Sequence, residues 1–204
     1  MNDLPPADFS VKPTLVGEKV LLRPFLVPQD LSVLRPVIQD PEAGRLTGSP
    51  VAQSWDDEAE DRFVTWYSTR HEQPDRLDLA VIDQTTGACV GEVVLNQWDA
   101  GNRSCNFRIL LAAAGRDRGL GTEATRLIVG YGFERLGLHR ISLGVFSFNP
   151  RARRAYEKAG FVVEGVLRDA YLCDGVWVDD IVMSILAPEW EIHRGRPQGP
   201  NSVS

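Results

Sequence analysis

The apolar residues of the chain fall into short runs separated by clusters of glycine, proline, asparagine and aspartate. Short runs rich in valine, isoleucine and leucine predict strands, and the clusters between them predict turns. Longer segments in which apolar residues recur every three or four positions predict amphipathic helices. The predicted strands cover residues 20–25, 77–83, 89–97, 104–112, 140–146, 162–171 and 176–186. The predicted helices cover residues 28–39, about 54–70, 119–136 and 150–159.

The order of these elements predicts one layered domain. Three successive strands with short turns form an antiparallel meander, whereas the later strand–helix–strand unit requires a parallel pair with a helical crossover. We therefore predict an α/β (α+β) fold with a mixed, mostly antiparallel central sheet of about seven strands, flanked by helices. The domain is expected at residues 14–190. Residues 1–13 are expected to form a flexible arm, and residues 191–204, rich in proline, glycine and serine, a disordered tail.

Composition narrows the functional classes. The 204 residues carry a formal net charge of −6, which argues against a nucleic-acid-binding protein. It does not exclude a local basic pocket, for which the arginine-rich stretch at residues 151–154 is a candidate. No apolar run approaches the length of a membrane span, and the first 13 residues lack the apolar segment of a secretory signal. We expect a cytoplasmic protein with no membrane partner; a homodimer is compatible with the sequence.

The cysteines and histidines do not predict a metal site. Cys89, Cys105 and Cys173 are far apart, and the three histidines are equally scattered. We expect the cysteines to be small buried residues of the core.

The most informative segment is the loop at residues 116–122, between a predicted strand and a predicted helix. Gly119 and Gly121 carry no Cβ, so a ligand can approach the backbone closely. The first N–H groups of the following helix are unpaired and, together with the helix dipole, suit a phosphate group. Two other phosphate motifs fit less well. A P-loop needs a Gly-Lys-Ser/Thr triplet, which is absent, and a dinucleotide fingerprint should follow the first strand of a parallel sheet rather than a meander.

The loop, with its Arg-x-x-Gly-x-Gly pattern, resembles the acetyl-CoA-binding motif of the Gcn5-related N-acetyltransferases (GNAT). The resemblance extends over residues 14–187 and is closest to the RimJ/RimL-type branch. It is carried by VGEKVLLRPF at 16–25, GTEATRLIVGYGFERLGLHRISL at 121–143, NPRARRAYEKAGFVVEGVLRDAY at 149–171 and DGVWVDDIVMSIL at 174–186.

The resemblance implies an acyl-CoA-dependent N-acyltransferase, with acetyl-CoA as the expected co-substrate and no metal. In this family the fourth and fifth strands splay apart, and CoA lies in the opening. Tyr156 matches the general acid that protonates the departing thiolate, which suits a phenol that stays protonated at neutral pH. The positions that match the CoA site are Ile109, Leu110, Leu111, Arg116, Asp117, Arg118, Gly119, Leu120, Gly121, Thr122, Asn149 and Tyr156.

The chain departs from the family pattern where a general base is often found. Gly144 and Asn106 stand at strand positions where glutamate is frequent, and Ala152 stands where a serine is often present. Three carboxylates, Glu92, Asp169 and Asp180, remain as candidates for contact with the acceptor amine.

The acceptor stays open at this level. A protein N-terminal α-amine is favoured by the branch, while the acidic chain suits any cation, including a polyamine or an aminoglycoside. A different kind of function, a non-catalytic CoA-binding regulatory module, is the alternative that the missing glutamate and serine favour.

Overall fold

The computed structural model describes residues 7–49 and 54–194. One sheet of eight strands runs through this part of the chain, in the order β1-β2-β3-β4-β5-β6-β8-β7. The strands are β1 (Leu15–Val16), β2 (Val20–Arg23), β3 (Leu77–Asp83), β4 (Cys89–Asp99), β5 (Ser104–Leu111), β6 (Arg140–Phe146), β7 (Val162–Cys173) and β8 (Val176–Leu186). The helices are α1 (Leu31–Ile38), α2 (Pro41–Thr47), α3 (Asp57–Ser68), α4 (Leu120–Glu134), α5 (Pro150–Ala159) and α6 (Ala187–Arg194).

The sheet is antiparallel except between β5 and β6. These two strands pair in parallel at only three positions, the last of which joins Asn106 to Ser142. Beyond that point β5 continues to pair with β4, and β6 with β8, but β5 and β6 no longer pair with each other. The splay implied by the family resemblance is therefore present. The diverging strands are β5 and β6, because the two-residue strand β1 was not among the predicted strands.

Two helical layers cover the sheet. On one face, Ile128 of α4, Ala159 at the end of α5 and Trp190 of α6 pack with residues of the central strands in the largest core cluster. On the other face, a smaller cluster joins Leu31 and Leu34 of α1 to Phe63 and Tyr67 of α3. The mixed, mostly antiparallel sheet with flanking helices that the sequence predicts is confirmed, with eight strands rather than seven.

The expected ends of the domain need correction. Phe9, in the segment predicted as a flexible arm, is only 1% exposed and packs against Trp98. Nearby, the ammonium group of Lys12 donates hydrogen bonds to the backbone carbonyls of Gln73 and Arg76. At the other end, α6 continues to Arg194, so the chain is still helical where the disordered tail was predicted to begin. Residues 1–6 and 195–204, the rest of the predicted arm and tail, lie outside the described residues.

The helices of the first third also differ from expectation. The helix predicted to begin at Pro28 begins at Leu31, because the Asp30 carboxylate forms a salt bridge with Arg23 and accepts the N–H of Leu26. It continues past Pro36 to Ile38. Helix α2 was missed, although it carries ordinary capping signals: Asp40 accepts the N–H of Glu42, and a glycine ends the helix.

Candidate active site

A cleft of about 1570 Å³ lies where β5 and β6 diverge. Because the two strands part, the cleft reaches both faces of the sheet. Its walls come from α4 and α5 on one face and from α2, β6 and β8 on the other. Most positions implied by the family resemblance line this cleft: Ile109, Leu110, Leu111, Arg116, Asp117, Arg118, Gly119, Gly121, Thr122, Asn149 and Tyr156. Leu120 does not, since its side chain is 2% exposed and packs in the core.

The N-terminus of α4 opens into the cleft. Gly119 is its N-cap residue and has φ +80°, a conformation that side chains rarely adopt. Gly121 packs so tightly that a Cβ there would lie 3.0 Å from the Cδ1 of Leu111. The helix begins without a capping side chain, so its first N–H groups are free to bind an anion.

The charged side chains of this loop are engaged with the protein. Arg118 forms a salt bridge of 2.7 Å with Asp83, a carboxylate that is only 1% exposed. The Nε of Arg116 donates to the carbonyl of Leu111 at 2.9 Å. Asp117, at φ +59°, lies 3.5 Å from the guanidinium of Arg151. The backbone of the loop is therefore better placed than its arginines to contact a phosphate directly.

Further cations surround the same cleft. Its described lining contains nine lysines and arginines against four carboxylates, in a protein of net charge −6. The cations that family motifs did not suggest are Lys19, Arg108, Arg126, Arg151, Arg154, Lys158 and Arg194. The arginine-rich stretch of α5 was a detectable signal, but Arg153 within it pairs with Glu157 instead. Such a concentration of positive charge suits a polyanionic ligand.

The edge of β5 is available along the cleft. Ile109, Leu110 and Leu111 pair with β4 on one side, and no β6 partner faces them on the other. Backbone groups on the free side need a hydrogen-bonding partner. An extended ligand with amide groups could provide one, as an added strand does.

Asn149, the N-cap residue of α5, and Tyr156 within the helix reach the cleft from the α4 side. Asn149 caps the helix, its Oδ1 accepting the N–H of Ala152 at 3.1 Å. Tyr156, two turns further on, packs against the rings of Phe107 and Phe161 at centroid distances of 6.0 and 6.1 Å. Burial raises the pKa of the Tyr156 phenol to about 12, so this side chain stays protonated at neutral pH and is a donor.

The three candidate carboxylates have different positions. Glu92 lies under α3 and outside the cleft lining, where its Oε2 accepts the hydroxyl of Tyr67 at 2.9 Å. Burial raises its pKa to about 7. Asp169 is exposed on β7, at φ +51° in an irregular part of the strand, and its N–H donates to Asp179. Only Asp180 lines the cleft.

The face of the cleft that carries Asp180 also carries an aromatic stack. Phe146 pairs with Asp180 in the β6–β8 ladder and stacks on Tyr171 at 4.5 Å and on Phe148 at 5.5 Å. Gly48, at the end of α2, packs against Phe146. These residues were missed because α2 is too short to show a helical period, and the contact between Tyr171 of β7 and Phe146 of β6 cannot be inferred from local pattern.

Cys89, Cys105 and Cys173 are all buried, as predicted. Among residues 7–49 and 54–194, no cluster of three or more His, Cys, Asp or Glu side chains could hold a metal ion. No helix in the same part of the chain is long and apolar enough to cross a membrane.

Comparison with known proteins places this cleft in a family. The family model for the acetyltransferase (GNAT) domain matches residues 19–162. The "Probable N-acetyltransferase YjcK" of Bacillus subtilis is 36% identical over 66% of this chain and 75% of its own length. Spermidine N(1)-acetyltransferase of Escherichia coli K12 is 31% identical over 59% of this chain, which spans only 63% of that relative.

Among solved structures, spermidine N-acetyltransferase from Vibrio cholerae in complex with CoA and spermine superposes with a TM-score of 0.74 at 25% identity. The match covers 86% of this chain and 99% of that one. The fold and the diverging strands agree with the family that these matches indicate. The chain belongs to the GNAT acetyltransferase family and is an N-acetyltransferase.

Proposed function

We propose that this protein transfers the acetyl group of acetyl-CoA to a primary amine by direct transfer in a ternary complex. One observation carries the proposal: a single cleft contains a free helix N-terminus, an open strand edge and a partly buried tyrosine that keeps its proton at neutral pH. These three features match the three parts of an acyl-CoA. The helix N-terminus suits its pyrophosphate, the strand edge suits its amide-containing arm, and the tyrosine suits its sulfur.

The N–H groups of residues 119–122 would bind the pyrophosphate, and the edge of β5 at Ile109–Leu111 would pair with the pantetheine arm. Because Arg118 is held by Asp83, most of its charge is already compensated. Lys19, Arg151 and Arg154 line the cleft and would supply positive potential for the remaining phosphate.

Tyr156 would act as the general acid. As the neutral amine attacks the thioester carbonyl, a C–N bond forms, the C–S bond breaks, and the sulfur takes the phenolic proton. The proton that the nitrogen then loses restores the phenol. The raised pKa of Tyr156 keeps that proton available over the whole neutral range.

We infer an acceptor with one ammonium group at the reacting end, such as the N-terminal α-amine of a polypeptide. Of the four carboxylates in the described lining, Glu18 and Glu123 lie together at the N-terminus of α4, where Glu123 accepts the N–H groups of Glu18 and Lys19, and Asp117 faces Arg151. Asp180, beside Phe146, is the carboxylate on the acceptor side. A carboxylate next to an aromatic face suits a single cation, whereas a polyamine carries several.

A polyamine is the second candidate, favoured by the spermidine acetyltransferases among the relatives. The test is acetyl-CoA consumption with a short peptide bearing a free α-amine, the same peptide with a blocked α-amine, and spermidine. Mass spectrometry of the products identifies the acetylated nitrogen. We expect turnover with the free peptide and none with the blocked one. Turnover with spermidine alone would select the polyamine, and no amine-dependent turnover would refute the proposed function.

A further inference from the structure

The backbone conformation at position 144 of β6 does not explain why this residue is a glycine. Its φ lies outside the left-handed region that favours glycine, so other residues could adopt the same conformation. A glycine inside a strand weakens the strand and commonly marks a close approach by another group. The position lines the cleft.

The group that approaches Gly144 is the carboxylate of Asp180. A Cβ at position 144 would lie 2.6 Å from Oδ2 and 2.8 Å from Oδ1 of that side chain. Real Cβ atoms do not come so close to an oxygen, so any other residue at 144 would displace the carboxylate. Asp180 therefore occupies the space in which a side chain of residue 144 would begin.

The Asp180 carboxylate is incompletely satisfied. Its Oδ1 is buried and has no hydrogen-bond partner within the described residues. A buried polar atom without a partner is destabilising by about 1–3 kcal/mol, and such atoms are uncommon in folded proteins. Burial also raises the pKa of this carboxyl, which the Val145 N–H partly offsets. The carboxylate is thus a stronger base than an exposed aspartate, and one of its oxygens lacks a partner within the described residues.

The two faces of the sheet separate this carboxylate from the tyrosine. Ile181 and Met183 of β8 belong to the core on the α4 and α5 side, so Asp180 projects from the opposite face. Tyr156 packs on Phe107, within the α4 and α5 layer. Both side chains line the one cleft that passes between β5 and β6. An acid and a base on opposite faces of this opening could flank a thioester held within it.

We propose that Asp180 is the general base of the reaction and that Gly144 is required to leave room for it. The inference rests on the proposed function. The acceptor ammonium is held by the carboxylate beside Phe146. Asp180 first takes one proton from the ammonium and releases it to solvent, which leaves the nitrogen with a lone pair. As that nitrogen bonds to the carbonyl carbon it becomes acidic and gives a second proton to Asp180, while the C–S bond breaks and Tyr156 gives its proton to the sulfur. The proton on Asp180 then returns through water to the Tyr156 phenolate, so each turnover converts one ammonium and one acetyl-CoA into amide, CoA and one proton.

The test compares Asp180→Asn with Asp174→Asn, the same substitution at an exposed turn residue outside the cleft lining. Acetyl-CoA is the donor, and the acceptor probe is the free α-amine peptide or spermidine, whichever wild type acetylates. Loss of the base should lower kcat/KM by roughly 10²–10⁴-fold, while CoA affinity measured by calorimetry stays unchanged and Asp174→Asn retains wild-type activity. Wild-type kcat/KM in Asp180→Asn overturns the proposal.

A second variant tests the role of the space over Gly144 and does not depend on Asp180→Asn folding. Gly144→Ala keeps the acid but pushes it away, so its activity should also fall. In an Asp180→Ala background, Gly144→Ala should cause no further loss of activity, because both substitutions act through one carboxylate. Wild-type activity in Gly144→Ala, or additive losses in the double variant, would overturn the proposal. A wild-type protein that acetylates no amine would refute the proposed function instead.

Discussion

Replacement of Gly119 tests whether the N-terminus of α4 binds the cofactor phosphates. The position has φ +80°, and a Cβ placed there would meet nothing closer than the Lys19 Nζ at 3.4 Å. Gly119→Ala should therefore fold, with the left-handed backbone costing about 1–2 kcal/mol. For a chain of this length that corresponds to a decrease in Tm of roughly 2–8 °C.

The loss of binding should be separable from this strain. A methyl group at the helix entrance keeps a phosphate from the backbone N–H groups, and losing one hydrogen bond to a charged group costs roughly 1.5–3 kcal/mol. The Kd for CoA should then rise by about 10–150-fold. Gly119→Asn is the matched control for strain, because asparagine tolerates φ > 0 better than alanine does. We expect Gly119→Asn to have a higher Tm than Gly119→Ala but the same loss of CoA affinity by calorimetry. Wild-type affinity in both variants would refute a phosphate site at this helix.

Three further predictions concern single side chains. Tyr156→Phe should lower kcat and kcat/KM together, by roughly 10²–10⁴-fold, with unchanged CoA affinity; an unaltered kcat where chemistry limits the rate would remove the phenol from the mechanism. The pKa of Glu92 is raised from 4.5 to about 7. The burial of this carboxyl therefore lowers the free energy of unfolding as the pH rises through that range. Glu92→Gln should accordingly raise the free energy of unfolding at pH 8 by up to about 3 kcal/mol and leave it nearly unchanged at pH 4; an equal effect at both pH values in urea titrations would contradict this. Arg118→Ala should lower Tm at pH 7, because it leaves the buried Asp83 carboxylate unpaired. Since Arg118 lowers the pKa of Asp83, that difference in Tm should shrink as the pH falls below 4, and a pH-independent difference would count against the salt bridge.

The sequence predicted the elements with strong local signals. Helix α5 has the predicted bounds because Asn149, Pro150 and Gly160 mark both of its ends. The hairpin of β7 and β8 is likewise marked by the turn at Asp174 and Gly175, although β7 extends two residues beyond its predicted end. Helix α2 is only seven residues long, too short to show a helical period.

Only the parts of the candidate site that lie in a recognisable sequence motif could be predicted. The loop at residues 116–122 and Tyr156 were named from local sequence, and they meet in one cleft. The arrangement of Asp180 over Gly144 depends on the β6–β8 register, which pairs residues more than 30 positions apart. Local pattern contains no information on that register, so Gly144 was interpreted as the loss of a carboxylate. The structure shows a carboxylate from the adjacent strand in the same space.

A crystal structure of the protein with bound CoA would test most directly whether one cleft between β5 and β6 holds the acyl donor for transfer. We expect the pyrophosphate at the backbone N–H groups of residues 119–122, the pantetheine arm along Ile109–Leu111, and the thiol within hydrogen-bonding distance of the Tyr156 hydroxyl. A CoA molecule bound outside this cleft, or one bound within it with its thiol remote from Tyr156, would contradict the proposed mechanism.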